Sequence, residues 1–324
     1  MAPGAALRAL VAGVVDYAGL FPPASLDMMT AVRNYAEYRA SDDAWMLGRF
    51  VIPVARLDEW SGAMRALPAD VARRWSGARL SALLSGEYAV EAGAIAEFNA
   101  AGALNVRIDV AEGRSATPDA VLAMAAAMPD DVMLYCELPH RDDPWPLLQS
   151  VCSAGVRAKI RTGGVSPDAF PTSAEIVRFL RRCGDAGVTA KATAGLHHPL
   201  RGEYRLTYAP DAVRSRMYGY LNVFLCAAAL RAGASDADAV AIMELTDASA
   251  IVVHDDAVRV AGVTLDRTAL ESMRRDGVVA FGSCSFREPV DELAALFPSG
   301  PVPDRVPDRV SDRVSGRESA GAAS

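Results

Sequence analysis

The stretch RAKIRTGGVSPDAFPTSAEIVRFLRRCGDAGVTAKATAGLHHP, residues 157–199, decides the fold because it holds one complete strand–helix–strand unit. Alternation of side chains over 157–161 and 189–194 predicts two strands. The segment Ser173–Ala186 between them has the apolar periodicity of a helix. Two strands joined through a helix indicate a parallel pair with the helix packed outside it.

The same unit repeats along the chain. Working outward, we predict further strands at Gly48–Val54, Arg79–Leu84, Leu104–Val110 and Val132–Leu138. The predicted helices between them are Leu57–Leu67, Val90–Ala101, Pro118–Met128 and Trp145–Ala154. A short first strand is expected within DYAGLFPPAS (16–25), a helix over Leu26–Arg39, and the last strand within VVAFGSCSF (278–286).

The faces of the strands favour a closed barrel over an open sheet. Asn105, Arg107 and Asp109 share one face of their strand, and Tyr135 and Glu137 share one face of the next, while apolar residues occupy the opposite faces. A sheet covered by helices on both sides would be apolar on both faces. The pattern therefore predicts an α/β fold, a TIM (β/α)8 barrel with a polar upper interior.

The alternation is interrupted near the end of the chain. We expect residues 1–298 to form a single barrel domain with an insertion at 200–278 before the last strand. That insertion is predicted to hold helices at Tyr218–Arg231 and Asp236–Leu245 and a hairpin at 251–265. Residues 299–324 repeat PDRV, PDRV and SDRV, which predicts a disordered tail.

Composition argues against several classes of function. The net charge is −7 and the arginines are scattered, so we expect no nucleic-acid partner. Five cysteines at irregular spacing predict neither disulfides nor a zinc site. No segment has the pattern of a signal peptide or a membrane span, so we expect a cytoplasmic protein without a membrane partner. Self-assembly into a homo-oligomer stays open.

Only two of the 33 basic residues are lysines, and both lie in the opening stretch. Lys159 shares a strand face with Arg157 and Arg161, and Lys191 shares one with Thr189 and Thr193. Unlike arginine, lysine can lose its proton when it is desolvated or crowded by other cations, and its amine then attacks carbonyl carbon. The alternative is that both lysines form interior salt bridges.

Four motifs resemble deoxyribose-phosphate aldolase and related class I aldolases. The family's K-x-x-T-G on the sixth strand is similar to Lys159–Gly163, and its P-x-S-A is similar to Pro171–Ala174. A second lysine before a small-residue, glycine-rich turn on the seventh strand is matched by Lys191–Gly195. The eighth-strand F-G-x-x-S is matched by Phe281–Ser285. The similarity is weak in the N-terminal half and absent from 200–278.

This resemblance implies a barrel enzyme in which a lysine forms a Schiff base with a carbonyl substrate. Lys159 is the expected nucleophile, and Lys191 is the expected electrostatic tuner and proton shuttle. Glu137 resembles a glutamate on the family's fifth strand, and Asp109 is our substitute for an aspartate on the strand before it. Both carboxylates are candidates for proton transfer, with plain counterions as the alternative.

Substrate-binding residues are expected at the ends of the last three strands. These candidates are Arg161, Thr162, Gly163, Thr193, His197, His198, Gly282, Ser283 and Ser285. At 196–201 the chain has LHHPLR in place of the family's second glycine and phosphate-holding backbone. We therefore expect an unphosphorylated carbonyl compound or a small carboxylate.

The sequence thus predicts an aldolase-like lyase that acts on a small carbonyl compound through a lysine imine and needs no cofactor or metal. Two alternatives stay open. One is a metal-dependent barrel lyase or hydrolase in which His197 or His198 binds the ion with Glu137 and Asp109. The other is a barrel that binds a small molecule without catalysis.

Overall fold

The computed structural model describes residues 4–298, and the expected tail at 299–324 lies outside that range. Eight parallel strands close into a barrel in the order β1-β13-β7-β6-β5-β4-β3-β2. The seven strands that precede the insertion are β1 (Val15–Tyr17), β2 (Leu47–Pro53), β3 (Arg79–Leu83), β4 (Arg107–Arg114), β5 (Met133–Glu137), β6 (Arg157–Arg161) and β7 (Ala190–Thr193). The shorter strands after β7 are β8 (Gly202–Arg205), β9 (Arg214–Met217), β10 (Ile251–Val253), β11 (Ala257–Val260) and β12 (Val263–Asp266). The closing barrel strand is β13 (Val278–Ser283), which pairs with both β1 and β7.

Helices alternate with these strands and cover the outside of the barrel. The first six are α1 (Ala5–Val11), α2 (Met28–Arg39), α3 (Leu57–Ala66), α4 (Ala69–Arg73), α5 (Tyr88–Ala101) and α6 (Pro118–Ala127). The other six are α7 (Trp145–Ser153), α8 (Ser173–Asp185), α9 (Tyr220–Arg231), α10 (Asp236–Glu244), α11 (Arg267–Asp276) and α12 (Arg287–Leu296). A closed parallel barrel surrounded by helices confirms the predicted TIM barrel.

The expected insertion contains one helix that belongs to the barrel itself. In α9 every residue from Tyr220 to Leu230 is buried, and the helix packs against α8, α10, α11 and β13. It is therefore the helix that links the seventh strand of the barrel to the eighth. The true additions are the β8–β9 hairpin, α10, the three-stranded sheet β10-β11-β12 and α11.

Two local features differ from the sequence prediction. The fourth strand starts later and ends later than predicted, because Leu104 and Asn105 have left-handed backbone conformations (φ 53° and 54°) that end the preceding segment. The predicted hairpin forms, but a third strand, β12, continues it after a second turn at Ala261–Gly262. The β8–β9 hairpin was not predicted.

An aromatic cluster holds the first two strands of the barrel. Tyr17 and Phe50 lie on β1 and β2, and the buried Trp75 ring packs 5.2 Å from the Phe50 ring and 4.6 Å from Tyr35. Tyr35 also donates a hydrogen bond to the Gly48 carbonyl at 2.8 Å. The cluster fixes the position of Asp16, which precedes Tyr17.

Among residues 4–298, no helix is long and apolar enough to cross a bilayer.

Candidate active site

A cavity of about 600 Å³ opens at the carboxyl ends of the barrel strands. Its two sides differ in chemistry. Next to β1–β3 the wall is mainly apolar, with Ala18, Phe21, Pro22, Val51 and Leu83. Next to β4–β7 it carries charged side chains, namely Glu112, Arg114, Glu137, Lys159, Arg161 and Lys191. The carboxyl ends of the strands are where TIM-barrel enzymes place their active sites.

Strand register brings the two lysines together. Lys159 on β6 is the register partner of Lys191 on β7, and Glu137 on β5 is the partner of Lys159. Register partners on adjacent parallel strands project to the same side of the sheet. All three side chains therefore meet inside the barrel, where each is less than 10% exposed.

Glu112, on β4, links the two lysines. Its Oε2 accepts a hydrogen bond from Lys159 Nζ at 2.8 Å, and its Oε1 accepts one from Lys191 Nζ at 2.6 Å. Ser81 Oγ also donates to Oε1. Burial opposes the charge of Glu112, but the two ammonium groups outweigh burial and hold the pKa of this carboxyl well below its usual range.

Lys191 is enclosed by carboxylates. In addition to Glu112, its Nζ donates to Asp16 Oδ2 at 2.6 Å. Burial favours loss of its proton, yet the Asp16 and Glu112 carboxylates outweigh burial and raise the pKa of Lys191 above its usual range. Asp16 is itself fixed by the Arg49 backbone N–H, which donates to Oδ1 at 2.7 Å. A side chain at Gly48 would collide with that oxygen, since a Cβ there would lie 2.3 Å from it.

Lys159 lies between Glu112 and a second carboxylate that faces the cavity. Its Nζ is 2.9 Å from Glu137 Oε2. The other oxygen of Glu137 is 3.1 Å from Arg114 Nε and 3.8 Å from Arg161. Burial raises the pKa of Glu137, but Lys159 and the two arginines outweigh burial and lower it. We call Asp16, Glu112, Glu137, Lys159 and Lys191 the lysine cluster.

Two expectations about this cluster need correction. Asp109 does not line the cavity; its carboxylate forms a pair with Arg49 at 2.7 and 2.9 Å, and Glu112, three residues later on β4, faces the lysines instead. Cations were also expected to crowd Lys159. Arg157 instead donates to the Tyr135 hydroxyl at 2.8 Å, and carboxylates surround the Lys159 amine.

A second polar cluster lies at the rim of the cavity. His197 Nδ1 is 3.2 Å from Glu288 Oε2, 3.5 Å from Ser283 Oγ and 3.8 Å from Cys284 Sγ. The Tyr208 hydroxyl donates to the same Glu288 oxygen at 3.1 Å and lies 3.5 Å from Cys284 Sγ. We call His197, Tyr208, Cys284 and Glu288 the histidine cluster; all four line the cavity.

The histidine cluster stabilises a charged imidazole. Burial opposes the imidazolium, but hydrogen bonds to Cys284 and Glu288 outweigh burial and raise the pKa of His197 to about 9. Burial raises the pKa of Glu288, but the hydrogen bond and charge of His197 have the larger effect and lower the pKa of that carboxyl. His197 is therefore a cation near neutral pH, next to the space that a substrate would fill.

The ligand set of the metal-dependent alternative is not assembled. His198 Nδ1 is 2.8 Å from Glu292, and its ring stacks on Tyr204 at 3.5 Å between centroids. His197 pairs with Glu288, and Asp109 lies outside the cavity. Within residues 4–298, no three His, Cys, Asp or Glu residues are grouped so that they could hold a metal ion.

The remaining predicted binding residues divide into two groups. Arg161, Thr193, His198 and Gly282 line the cavity. The others lie behind its surface, where they shape turns: Thr162 Oγ1 donates to the Ala194 carbonyl at 2.8 Å, and Ser285 Oγ accepts from the Glu288 N–H at 3.2 Å. Gly163 leaves room for the Phe170 ring, which would lie 2.4 Å from a Cβ at that position.

Sequence reasoning missed six residues of these two clusters and of the wall beside them. Glu112 and Arg114 lie beyond the predicted end of their strand, Asp16 is the first residue of a stretch in which only a short strand was expected, and Cys284 lies within the F-G-x-x-S motif without a predicted role. The alternation of Val110, Glu112 and Arg114 was the available signal, because it continues the strand for another four residues. Tyr208 and Glu288 had no local signal, since a loop and a helix that are distant in sequence place them beside His197.

No protein-family model matches the chain, and no curated protein matches it. Among solved structures, the chain is similar to the crystal structure of the Bacillus cereus spore cortex-lytic enzyme SleL, with 10% sequence identity and a TM-score of 0.40. The match covers 88% of this chain and 73% of that chain. At this identity the similarity says nothing about the residues in the cavity.

Proposed function

We propose that this protein is a TIM-barrel enzyme of the lyase class that forms an imine between Lys159 and a small carbonyl compound. One observation carries the proposal: the Lys159 amine is at the cavity wall between two carboxylates, Glu112 and Glu137, which line the cavity as well. A buried amine with an adjacent proton acceptor is what nucleophilic attack on carbonyl carbon requires. The sequence resemblance to class I aldolases points to the same lysine.

Two residues of the lysine cluster carry out imine formation, with Lys159 as the nucleophile and Glu137 as the group that accepts and returns the proton. Glu137 takes a proton from the Lys159 ammonium group, and the neutral amine adds to the carbonyl carbon. A proton then moves from the added nitrogen to the former carbonyl oxygen, which gives a carbinolamine. Glu137 then returns the proton to the carbinolamine hydroxyl, which leaves as water and gives a protonated imine. Cleavage then breaks the bond between the α and β carbons of the imine, whose electron pair moves toward the imine nitrogen and gives an enamine. Glu137, ionised again, takes the proton of the β-hydroxyl group as the β carbon becomes a carbonyl.

Lys191 and Glu112 have supporting roles in this proposal. Because Lys191 is held between Asp16 and Glu112, it keeps its proton and its positive charge. Its charge keeps Glu112 ionised while Lys159 changes its protonation state. Lys191 is therefore a positioning and electrostatic residue, whereas Lys159 and Glu137 touch the reacting atoms.

Chemical trapping tests this proposal. The protein is incubated with a panel of small aldehydes, ketones and 2-oxo acids in the presence of cyanoborohydride, which reduces an imine to a stable amine. Peptide mass spectrometry then locates the label, and the chain offers only two lysines and the N-terminus as sites. We expect labelling at Lys159 that is lost in Lys159→Arg, because arginine keeps the charge and cannot supply a neutral amine.

The matched control is Lys191→Arg, in which labelling at Lys159 is expected to be slower but still present. Labelling at Lys191 instead would exchange the two roles. Absence of labelling with every compound would reject the imine and favour a barrel that binds a ligand without covalent chemistry.

A further inference from the structure

The charges around Glu137 are not balanced. Four cations contact the carboxylates of the lysine cluster, namely Lys159, Lys191, Arg114 and Arg161. Only three carboxylates, Asp16, Glu112 and Glu137, face them. One positive charge remains, and it lies on the cavity side of Glu137, where Arg114 and Arg161 meet.

The two arginines also have donors to spare. Arg114 is 78% exposed and makes one hydrogen bond, from Nε to Glu137. Arg161 is 40% exposed and approaches the same oxygen only to 3.8 Å. Among residues 4–298, no other acceptor engages either guanidinium group. Both groups line the cavity, so an anionic ligand can reach them through solvent.

The distance from these donors to Lys159 is set by a single carboxyl group. Glu137 contacts Lys159 Nζ with one oxygen and the guanidinium groups with the other. The amine and the guanidinium groups are therefore separated by one carboxylate and its hydrogen bonds. A ligand that reacts at the amine and pairs with an arginine must carry its carbonyl group within a few bonds of its negative charge.

From this geometry we propose that Arg114 and Arg161 form a carboxylate-binding subsite, and that the substrate is a short oxo acid whose carbonyl carbon reaches Lys159. The second part of this inference, the oxo acid that reacts at Lys159, rests on the proposed imine. A carboxylate bound to two guanidinium groups neutralises the excess charge. The apolar wall beside β1–β3, with Phe21 and Val51, is left to receive the hydrocarbon end of the molecule.

The test compares pyruvate with pyruvamide, which has the same shape and the same ketone but no charge. In the wild-type protein we expect half-maximal trapping at Lys159 at a pyruvate concentration about tenfold lower than for pyruvamide, the effect of one charge-assisted pair. Arg114→Gln should remove this preference, because it raises the concentration needed for pyruvate more than that for pyruvamide, and Arg161→Gln should reduce it.

The matched control is Arg107→Gln, on the same strand. Arg107 pairs with Asp131 and lies at the opposite end of β4 from Arg114. Its loss should therefore change the trapping of neither pyruvate nor pyruvamide. The carboxylate-binding subsite would be rejected if the wild type trapped pyruvate and pyruvamide equally, or if Arg114→Gln reduced the trapping of both to the same extent. Either result would leave the proposed imine at Lys159 supported.

A separate measurement covers the case in which no carbonyl compound is trapped. That result would reject the imine, and calorimetric titration with pyruvate would then test the subsite alone. Binding to the wild type that weakens about tenfold in Arg114→Gln would support it. Failure of the wild type to bind pyruvate would overturn it together with the imine.

Discussion

The lysine cluster and the histidine cluster share one cavity but are built in different ways. The lysine cluster consists of side chains on β1, β4, β5, β6 and β7, so closure of the barrel brings them together, with Glu137–Lys159 and Lys159–Lys191 as register partners. The histidine cluster joins two loops, the start of α12 and the residue after β13. The strand-borne cluster pairs two buried lysines with three carboxylates, whereas the loop-borne cluster includes an imidazole with a pKa of about 9. In our proposal, covalent chemistry belongs to the strand-borne cluster and pH dependence to the loop-borne one.

The largest effect is expected when the lysine cluster loses the carboxylate that its lysines share. Glu112→Gln keeps the size of the side chain but leaves two buried ammonium groups with one fewer counterion. We expect the free energy of unfolding to fall by about 3–5 kcal/mol, the usual cost of breaking a buried ion pair from one side. Urea denaturation measures the change.

Asp109→Asn is the control for that variant. It removes a carboxylate from the same strand, but the Arg49–Asp109 pair is about one third exposed and contacts neither lysine. Its cost is expected to be about 1 kcal/mol. Equal costs for the two variants would show that Glu112 does not have the central position described above.

The two lysines should differ in their contribution to stability. Lys191→Met leaves Asp16 with only a backbone partner, and we expect a loss of roughly 3 kcal/mol. Lys159→Met leaves Glu137 with Arg114 and Arg161, so the loss should be about 1 kcal/mol smaller. The same denaturation experiment checks both variants. A larger loss for Lys159→Met would contradict the view that Lys191 is the structural member of the pair.

The residues of the lysine cluster show which parts of the site could be predicted from the sequence. The rarity of lysine and the alternation around it identified Lys159, Lys191 and Glu137 as interior residues, because side-chain direction in a strand is a local property. The identity of the carboxylate on β4 was not local, because the register of β4 against β3 shifts by one residue between Ile108 and Val110. Asp109 is the extra residue, and such a shift exchanges the inward and outward faces of a strand, so Glu112 faces the lysines instead.

The histidine cluster marks the limit of sequence reasoning. Nothing in the sequence around His197 indicates Glu288 or Tyr208, which are 91 and 11 residues away along the chain. Their meeting depends on the β8–β9 hairpin and on the first turn of α12, and loop conformation is not set by periodicity.

A smaller effect, confined to the histidine cluster, should appear in the pH dependence of stability. The folded-state pKa of His197, about 9, lies above its ordinary value of 6.5. Its contribution is therefore complete below pH 6.5 and is lost as the pH rises through 9, a change on the order of 3 kcal/mol at most. We expect the wild type to lose stability relative to His197→Gln over this window in urea denaturation at stepped pH.

His198→Gln provides the matched control, because its ring nitrogen pairs with Glu292 outside the histidine cluster. This variant keeps His197 with its partners Cys284 and Glu288, so it should still lose the His197 contribution as the pH rises through 9. If the wild type and His197→Gln kept a constant difference from pH 6.5 to 9.5, the cation at the rim would not exist.

The most direct test of the central claim uses the rarity of lysine in this chain. Protein labelled with carbon-13 at lysine Cε gives two side-chain NMR signals, one from Lys159 and one from Lys191, and Lys191→Arg assigns them. We predict that adding a carbonyl substrate such as pyruvate replaces the Lys159 signal with that of an imine, while the Lys191 signal keeps the position of an ammonium group. An imine signal from Lys191, or two unchanged signals at saturating ligand, would contradict the account.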